Sequence, residues 1–378
     1  MNQTATAPAS TSETKTVGPR LLSLDALRGF DMFWIIGADE LVHGLRKLSD
    51  AGLIQSLADQ LEHKAWQGFH FEDLIFPMFV FMVGISLVFS LTRTIAQEGR
   101  AGALKRIVRR TVLLYLLGVF YYGGFGTPFE RIRLLGVLQR IALCYGFAAV
   151  LFCYLKPKGL VAACVGLLVG YWALMTFVPV PGVGAGNFAE GKNLTNYLDK
   201  QYLPLRKWDG DHDPEGLLST LPAIATCLLG VFAGLLLGSK SVPEQKKVGL
   251  LVGAGVAGVA LGWLWGFQFP VIKKIWTSSY VLVAGGYSAL LLALFYQVID
   301  VWKCQWWARP FVWVGMNPIT IYMAVNLVDF GKIAERFVGG DLNQRFGAGG
   351  DLAVAIASLA LVFGFCHFLY RRKIFLRL

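Results

Sequence analysis

Residues 72–95 read EDLIFPMFVFMVGISLVFSLTRTI, and this stretch indicates the fold class of the chain. Two acidic residues open a long apolar run, and a helix needs about 20 such residues to cross the hydrocarbon core of a bilayer. Similar runs recur in both directions, so the sequence predicts an all-α, polytopic transmembrane bundle of about ten spans, with nine to eleven compatible. The predicted spans are approximately 22–45, 72–95, 106–124, 134–155, 160–180, 217–238, 249–266, 278–300, 311–329 and 351–370.

The composition excludes an ordinary soluble domain. Of 378 residues, 55% are apolar and 16% are charged, and the mean hydropathy is +0.55, whereas soluble domains carry about 25% charged residues. The net charge of +11 could suggest nucleic acid, but the basic residues form short clusters between apolar runs. That pattern is typical of membrane topology, so we expect the lipid bilayer as a partner and no nucleic acid.

The chain is expected to have two parts. Residues 1–20 are polar and rich in Thr, Ser and Ala, without the pattern of a cleaved signal peptide, and they predict a flexible tail. Residues 21–378 are expected to form a single transmembrane domain. Its six cysteines lie almost all inside apolar runs with no metal-type spacing, which argues against a disulfide framework or a structural zinc site.

The Lys/Arg distribution predicts the orientation. With the N-terminus inside, the inner segments hold 20 of the 35 Lys/Arg residues and the outer loops 14, while Arg140 falls within a span. Both termini are therefore predicted to be cytoplasmic. Two long outer loops, 46–71 and 181–216, are expected to line a binding site, because long ordered loops on one side usually do so.

Ionisable residues inside spans are functional candidates by default. At 100° per residue, Arg28 and Asp39 lie on one helix face, and Asp39 and His43 form an i,i+4 pair. These three ionisable residues are therefore predicted to form one stripe along the first span. Interfacial placement at the two span ends is the alternative. Arg28 and Arg140 each need an anionic partner, either a carboxylate or a phosphate.

Four of the five histidines fall on the predicted outer side, near acidic residues. A histidine beside carboxylates can take and return a proton near neutral pH, which makes it a candidate general base. Solvated loop residues remain the alternative. A metal site from His63, His70 and His212 is conceivable, but their spacing fits no motif, so no metal is expected.

Five sequence blocks follow one another in order: SLDALRGF at 23–30, HKAWQGFHFEDLIFPMFVFMVGISL at 63–87, RLLGVLQRIALCY at 133–145, DPEGLLST at 213–220 and GMNPITIY at 315–322. Together they resemble the heparan-alpha-glucosaminide N-acetyltransferase family of membrane acetyltransferases and its bacterial relatives. The resemblance implies acetyl transfer from acetyl-CoA, across the membrane, to the amino group of a terminal glucosamine. It also implies a multi-pass protein of the bacterial inner membrane.

The resemblance carries over to particular positions. The family's active histidine falls on His63, which Trp66 and Gly68 follow. Asp39 stands where the family has an asparagine, and this departure leaves its role open: a carboxylate could orient His63 or hold an ammonium group. Arg28 lies where wider families of membrane acyltransferases place an arginine associated with the acyl donor.

We therefore expect His63 to act as a general base or as a transient carrier of acetyl. The full set of expected site residues has three groups: His63, Asp39 and Asp73 for catalysis; Arg28, Gln139 and Arg140 for acetyl-CoA; Trp66, Asp213, Glu215 and Asn317 for the sugar. A transporter or flippase for a glycan or small anion is the main alternative function, and a structural membrane subunit is a third. A homodimer is compatible with the sequence.

Overall fold

The computed structural model describes residues 21–48 and 51–375, and these form helices and no β-strand. The predicted all-α class is confirmed. The tail at 1–20, expected to be flexible, lies outside the described residues.

Fifteen α-helices occur among the described residues. They are α1 (Leu22–Phe33), α2 (Asp39–Leu48), α3 (Gly52–Gln60), α4 (Glu72–Tyr121), α5 (Val137–Tyr154), α6 (Pro157–Phe177), α7 (Leu194–Tyr202), α8 (Thr220–Gly238), α9 (Glu244–Gly266), α10 (Ser278–Phe295), α11 (Arg309–Gly315), α12 (Pro318–Leu327), α13 (Phe330–Val338), α14 (Asp341–Phe346) and α15 (Gly350–Arg371). Two π-helical turns (Trp34–Ala38, Tyr296–Val301) and three 3-10 turns (Gly124–Gly126, Phe129–Arg131, Gly347–Gly349) complete the helical structure.

Within the described part of the chain, seven helices are long and apolar enough to cross a membrane. They are α4, α5, α6, α8, α9, α15 and α10 with the π turn that extends it to Val301. The bounds of these helices agree approximately with the predicted spans, with three exceptions.

One exception is α4, whose 50 residues contain two predicted spans, 72–95 and 106–124. The backbone leaves helical geometry at Gly99, where φ is 71° and ψ is −176°. A straight helix would separate residues 94 and 106 by about 18 Å, yet Arg106 Nη1 donates to Thr94 Oγ1 at 3.1 Å. The chain therefore turns back at Gly99, and α4 consists of two antiparallel halves.

The other two exceptions are interrupted spans. The predicted span 22–45 passes from α1 through the π turn to α2, and φ is 112° at Gly37. The regular 100° spacing behind the expected Arg28, Asp39 and His43 stripe does not continue through that break. The predicted span 311–329 is divided between α11 and α12.

Small residues let neighbouring helices approach closely at the centre of the bundle, as is usual in membrane proteins. A Cβ atom at Gly29 in α1 would overlap the carbonyl oxygen of Phe311 in α11, and one at Gly315 would overlap that of Asp25. The two halves of α4 pack against α8 and α5, and α10 packs against α9. One large buried apolar cluster results.

Hydrogen bonds connect the loops between these helices. Gly68 N–H donates to Val271 O at 2.9 Å, and the Trp66 indole donates to Phe188 O at 3.0 Å. Arg206 N–H donates to Ile132 O at 3.3 Å. The segments before α4, before α5, around α7 and before α10 therefore meet at one place.

The contact between α1 and α11 predicts a stability effect. Gly29→Ala places a methyl group against the Phe311 carbonyl, so the two helices must separate, at a cost of about 1–3 kcal/mol. The melting temperature in detergent, followed by tryptophan fluorescence, should fall. Gly166→Ala in α6 is the control, because a Cβ there meets nothing within 4 Å. Equal melting temperatures for the two variants would contradict this account.

Candidate functional site

A cavity of about 350 Å³ lies where these loops meet the helix ends. Small-molecule sites usually occupy about 300–1,000 Å³, with mostly apolar walls and a few placed polar groups. The cavity has this character. Its apolar wall consists of Met32, Ile35, Ile75, Phe76, Phe79, Val137, Leu138, Ile141, Trp276, Pro318, Ile319 and Tyr322. The remaining lining residues are His63, Lys64, Glu72, Tyr122, Arg133, Trp208, Asp209, Pro214, Glu215, Lys273 and Lys274.

His63 reaches the cavity beside a buried carboxylate. Its Nδ1 atom lies 3.4 Å from Oδ1 of Asp73, whose side chain is fully buried, while 61% of the His63 side chain is exposed. In the tautomer that carries its proton on Nδ1, directed at Asp73, the lone pair of Nε2 stays available to an incoming molecule. The Lys273 ammonium lies 3.1 Å from the same Nδ1, so in this tautomer it donates to the Asp73 carboxylate instead. The pair thus has the arrangement of a general base and the residue that orients it.

Local structure explains why Asp73 is in this position. It belongs to the first turn of α4, and its Oδ2 accepts backbone N–H groups from His70 at 3.0 Å and Lys64 at 3.3 Å. A carboxylate that reaches back to N–H groups before a helix is stabilised there by hydrogen bonds and by the helix dipole. The Tyr280 hydroxyl of α10 donates to the Asp73 carbonyl at 2.7 Å. Hydrogen bonds therefore fix both the carboxylate and the backbone of Asp73.

Lys273, from the loop before α10, is the third member of this group. Its Nζ lies 3.1 Å from His63 Nδ1 and 3.3 Å from Asp73 Oδ1. Burial lowers the pKa of Lys273 below its ordinary value, and the Asp73 and Glu72 carboxylates oppose that shift. The expected site residues did not include Lys273, because 210 positions separate it from His63. The adjacent lysines at 273 and 274 in a short loop were the available signal.

A second ionic group, centred on Arg133, also lies at the cavity wall. Arg133 donates from Nε and Nη2 to both oxygens of Asp213, at 2.9 and 2.6 Å, and from Nη2 to Glu215 at 2.6 Å. Its guanidinium also lies 4.6 Å from the ring centre of Tyr122 and 4.9 Å from that of Trp208. Burial raises the pKa of Glu215, and Arg133 counteracts this. The group fixes the loop before α8 against the start of α5.

Asp199 of α7 accepts hydrogen bonds from the loop that carries Asp213 and Glu215. It accepts backbone N–H groups from Leu217 at 2.8 Å and Asp213 at 3.3 Å. Burial raises the pKa of Asp199 to about 6. The loop that carries Asp213 and Glu215 is therefore held by both Arg133 and Asp199.

The residues expected to bind acetyl-CoA do not line the cavity. Arg28 donates to Asp25, Gly315 O and Ser86. Arg140 is fully buried and donates to Gly216 O and Ser219 Oγ. The buried Gln139 amide donates to Arg133 O at 3.3 Å. Among the described residues, the cations on the cavity are instead Lys64, Arg133, Lys273 and Lys274.

Of the other expected residues, only His63 and Glu215 line the cavity, and Asp73 contacts His63 directly. Asp39 acts electrostatically on Glu72 rather than contacting His63. The remaining three residues have structural contacts: Trp66 with Phe188 O, Asp213 with Arg133 and Asn317 with Ile374 O. The structure thus brings His63, Asp73 and Glu215 together at the cavity and places the other expected residues away from it.

Comparison with known proteins supports the resemblance seen in the sequence. The sequence model of the family described as "Heparan-alpha-glucosaminide N-acetyltransferase, catalytic" matches residues 20–255. The human protein named heparan-alpha-glucosaminide N-acetyltransferase is 28% identical over 416 residues, which cover 94% of this chain and 60% of the relative. The mouse protein of that name is 29% identical over 327 residues, which cover 71% of this chain and 49% of the relative. The chain thus matches about half to three fifths of each relative's length.

The buried ionic group predicts a large stability effect. Arg133→Met leaves the Asp213 and Glu215 carboxylates buried without their cation, which costs about 3–5 kcal/mol. The melting temperature should fall, and protease should cleave within 203–216. Arg131→Met is the matched control, because Arg131 is exposed. An Arg133→Met protein as stable and protease-resistant as the Arg131→Met protein would show that the group does not hold the loop.

Proposed function

This chain belongs to the heparan-alpha-glucosaminide N-acetyltransferase family, and we propose that it moves acetyl from acetyl-CoA to the amino group of a glucosamine-type sugar. One observation carries the proposal: within the matched region, His63 lies on the cavity wall with its Nδ1 beside buried Asp73. A base that is oriented in this way and open to a cavity is what aminolysis of a thioester requires.

The reaction needs one proton to be removed. An amine attacks a thioester only as the free base. As the C–N bond forms, its nitrogen becomes positively charged and gives up one proton. We assign that proton to Nε2 of His63. The carbonyl carbon then releases the CoA sulfur as the C–S bond breaks, and the imidazolium returns the proton to the thiolate. A positioned base contributes roughly 10²–10⁴-fold to such a step.

Asp73 and Lys273 are assigned supporting roles. Asp73 orients the imidazole and stabilises the imidazolium that forms, because its buried carboxylate lies against Nδ1. Lys273 holds Asp73 in place and brings a positive charge to the cavity wall. The route through a transient acetyl-histidine uses the same three residues, with Nε2 as the nucleophile.

The cavity lining suggests where each substrate contacts the protein. The CoA phosphates are anionic, and the Lys64 and Lys274 side chains line the cavity as possible partners for them. The apolar wall is suited to the methyl group of acetyl. Glu215 also lines the cavity, where its carboxylate can accept hydrogen bonds from a sugar. Arg28 and Arg140 do not line this cavity, so they could contact the donor only at another place in the protein.

Membrane placement follows from the seven long apolar helices in the described part of the chain. We propose the bacterial inner membrane as the location, with the His63 cavity at the periplasmic face. The charge distribution that predicts cytoplasmic termini supports this orientation, because it places the loops that build the cavity outside.

Loss of His63 should abolish acetyl transfer. With acetyl-CoA and glucosamine, His63→Ala is expected to lower release of free CoA thiol by about 10²-fold or more, because the variant lacks the base that Asp73 orients. The assay uses the purified protein in detergent and compares His63→Ala with His43→Ala, whose side chain lies on α2 beside Glu62. Full activity of His63→Ala would contradict the catalytic role. Absence of thiol release by the folded parent with any amino sugar would instead favour the transporter function.

Lys273 should determine the alkaline limit of activity. Its lowered pKa means that it loses its proton below the ordinary lysine value of about 10.4, so kcat/KM should fall on the basic side below that pH. Lys273→Arg stays charged and should extend activity to higher pH, whereas Lys273→Met should be impaired at every pH. The measurement is kcat/KM against pH for the three proteins. Identical basic limbs for the parent and Lys273→Arg would show that Lys273 is not the titrating group.

A further inference from the structure

A second cluster of side chains lies at the edge of the cavity, and we call it the rim cluster: Glu190, Asp209, His212 and Lys274. One carboxylate oxygen from Glu190, one from Asp209 and a ring nitrogen of His212 all lie within 4.8 Å of one another. His212 Nε2 is 3.7 Å from Glu190 Oε1 and 3.9 Å from Asp209 Oδ2. Asp209 and Lys274 also line the cavity.

His212 is arranged as a ligand. It is 6% exposed, and its Nε2 has no hydrogen-bond partner among the described residues. Its Nδ1 lies 2.9 Å from Asp211 Oδ1. A metal-binding histidine usually donates its second ring N–H to a carboxylate, which fixes the tautomer and leaves the other nitrogen to bind. His212 therefore directs its buried Nε2 atom toward the two rim carboxylates.

The cluster already holds a positive charge. The Lys274 ammonium lies 3.0 Å from Glu190 Oε1 and 3.1 Å from Asp209 Oδ2. The lysine stem is flexible and its side chain is 31% exposed, so the ammonium can leave without disturbing a buried core. The position between the carboxylates therefore holds a cation whose side chain is not fixed by burial.

We propose that the rim cluster is a site for a divalent cation of the zinc class, with Glu190, Asp209 and His212 as ligands and the cation in place of the Lys274 ammonium. Zinc bonds of about 2.0–2.1 Å place tetrahedral ligand atoms about 3.3 Å apart, so the three ligand atoms, which now lie within 4.8 Å of one another, must draw together by up to about 1.5 Å. One nitrogen and two carboxylate oxygens suit zinc. Three protein ligands leave a fourth position for an oxygen of a molecule in the cavity.

Direct metal binding tests the site without reference to acetyl transfer. Zn²⁺ is titrated calorimetrically into the purified, metal-stripped protein in detergent, and Co²⁺ serves as a spectroscopic probe of tetrahedral coordination. One site per chain is expected. Glu190→Gln removes an exposed ligand and should weaken binding by about tenfold or more. Lys274→Ala removes the competing ammonium and should strengthen it.

Glu130→Gln is the matched control, since it makes the same change at an exposed residue outside the rim cluster. Melting temperatures show that each variant is folded. Absence of Zn²⁺ binding by both the parent and Lys274→Ala would overturn the proposal and leave Lys274 as the permanent cation. Binding that Glu190→Gln and Lys274→Ala leave unchanged would also overturn it, because the metal would then be held elsewhere.

Discussion

The carboxylate of Asp73 is the interaction on which the arrangement of the site depends. It is fully buried, and it contacts His63 and Lys273 while accepting two backbone N–H groups from the loop that precedes α4. A buried charge is tolerated only when it is paired and hydrogen-bonded. Four groups from two loops thus converge on one residue, and His63 is placed at the cavity as a result.

The part of the wall around Arg133 follows the same rule with the charges reversed. Arg133 is the buried cation, and Asp213, Glu215 and two aromatic rings surround it. Each wall therefore couples a loop to the start of a long helix, α4 on one side and α5 on the other. Between them the cavity is apolar toward the bundle and charged toward the loops.

The sequence was sufficient for the fold class, because apolar runs long enough to cross the bilayer core are typical of membrane-spanning helices. The sequence could not show where the helices are interrupted. The turn at Gly99 and the break at Gly37 depend on local backbone dihedrals, and the regular helical spacing used to align Arg28 with Asp39 does not continue through Gly37. His63 and Asp73 were predictable since both lie around the start of one helix. Lys273 was not, because only the packing of α10 beside α4 brings it there.

The role of His63 can be tested with a structure of the protein bound to CoA and an N-acetylated glucosamine. We expect the acetamide nitrogen within hydrogen-bond distance of His63 Nε2, the CoA sulfur beside the acetyl carbon and Asp73 still against Nδ1. Binding of both products in another part of the bundle, with His63 away from the acetamide, would contradict it.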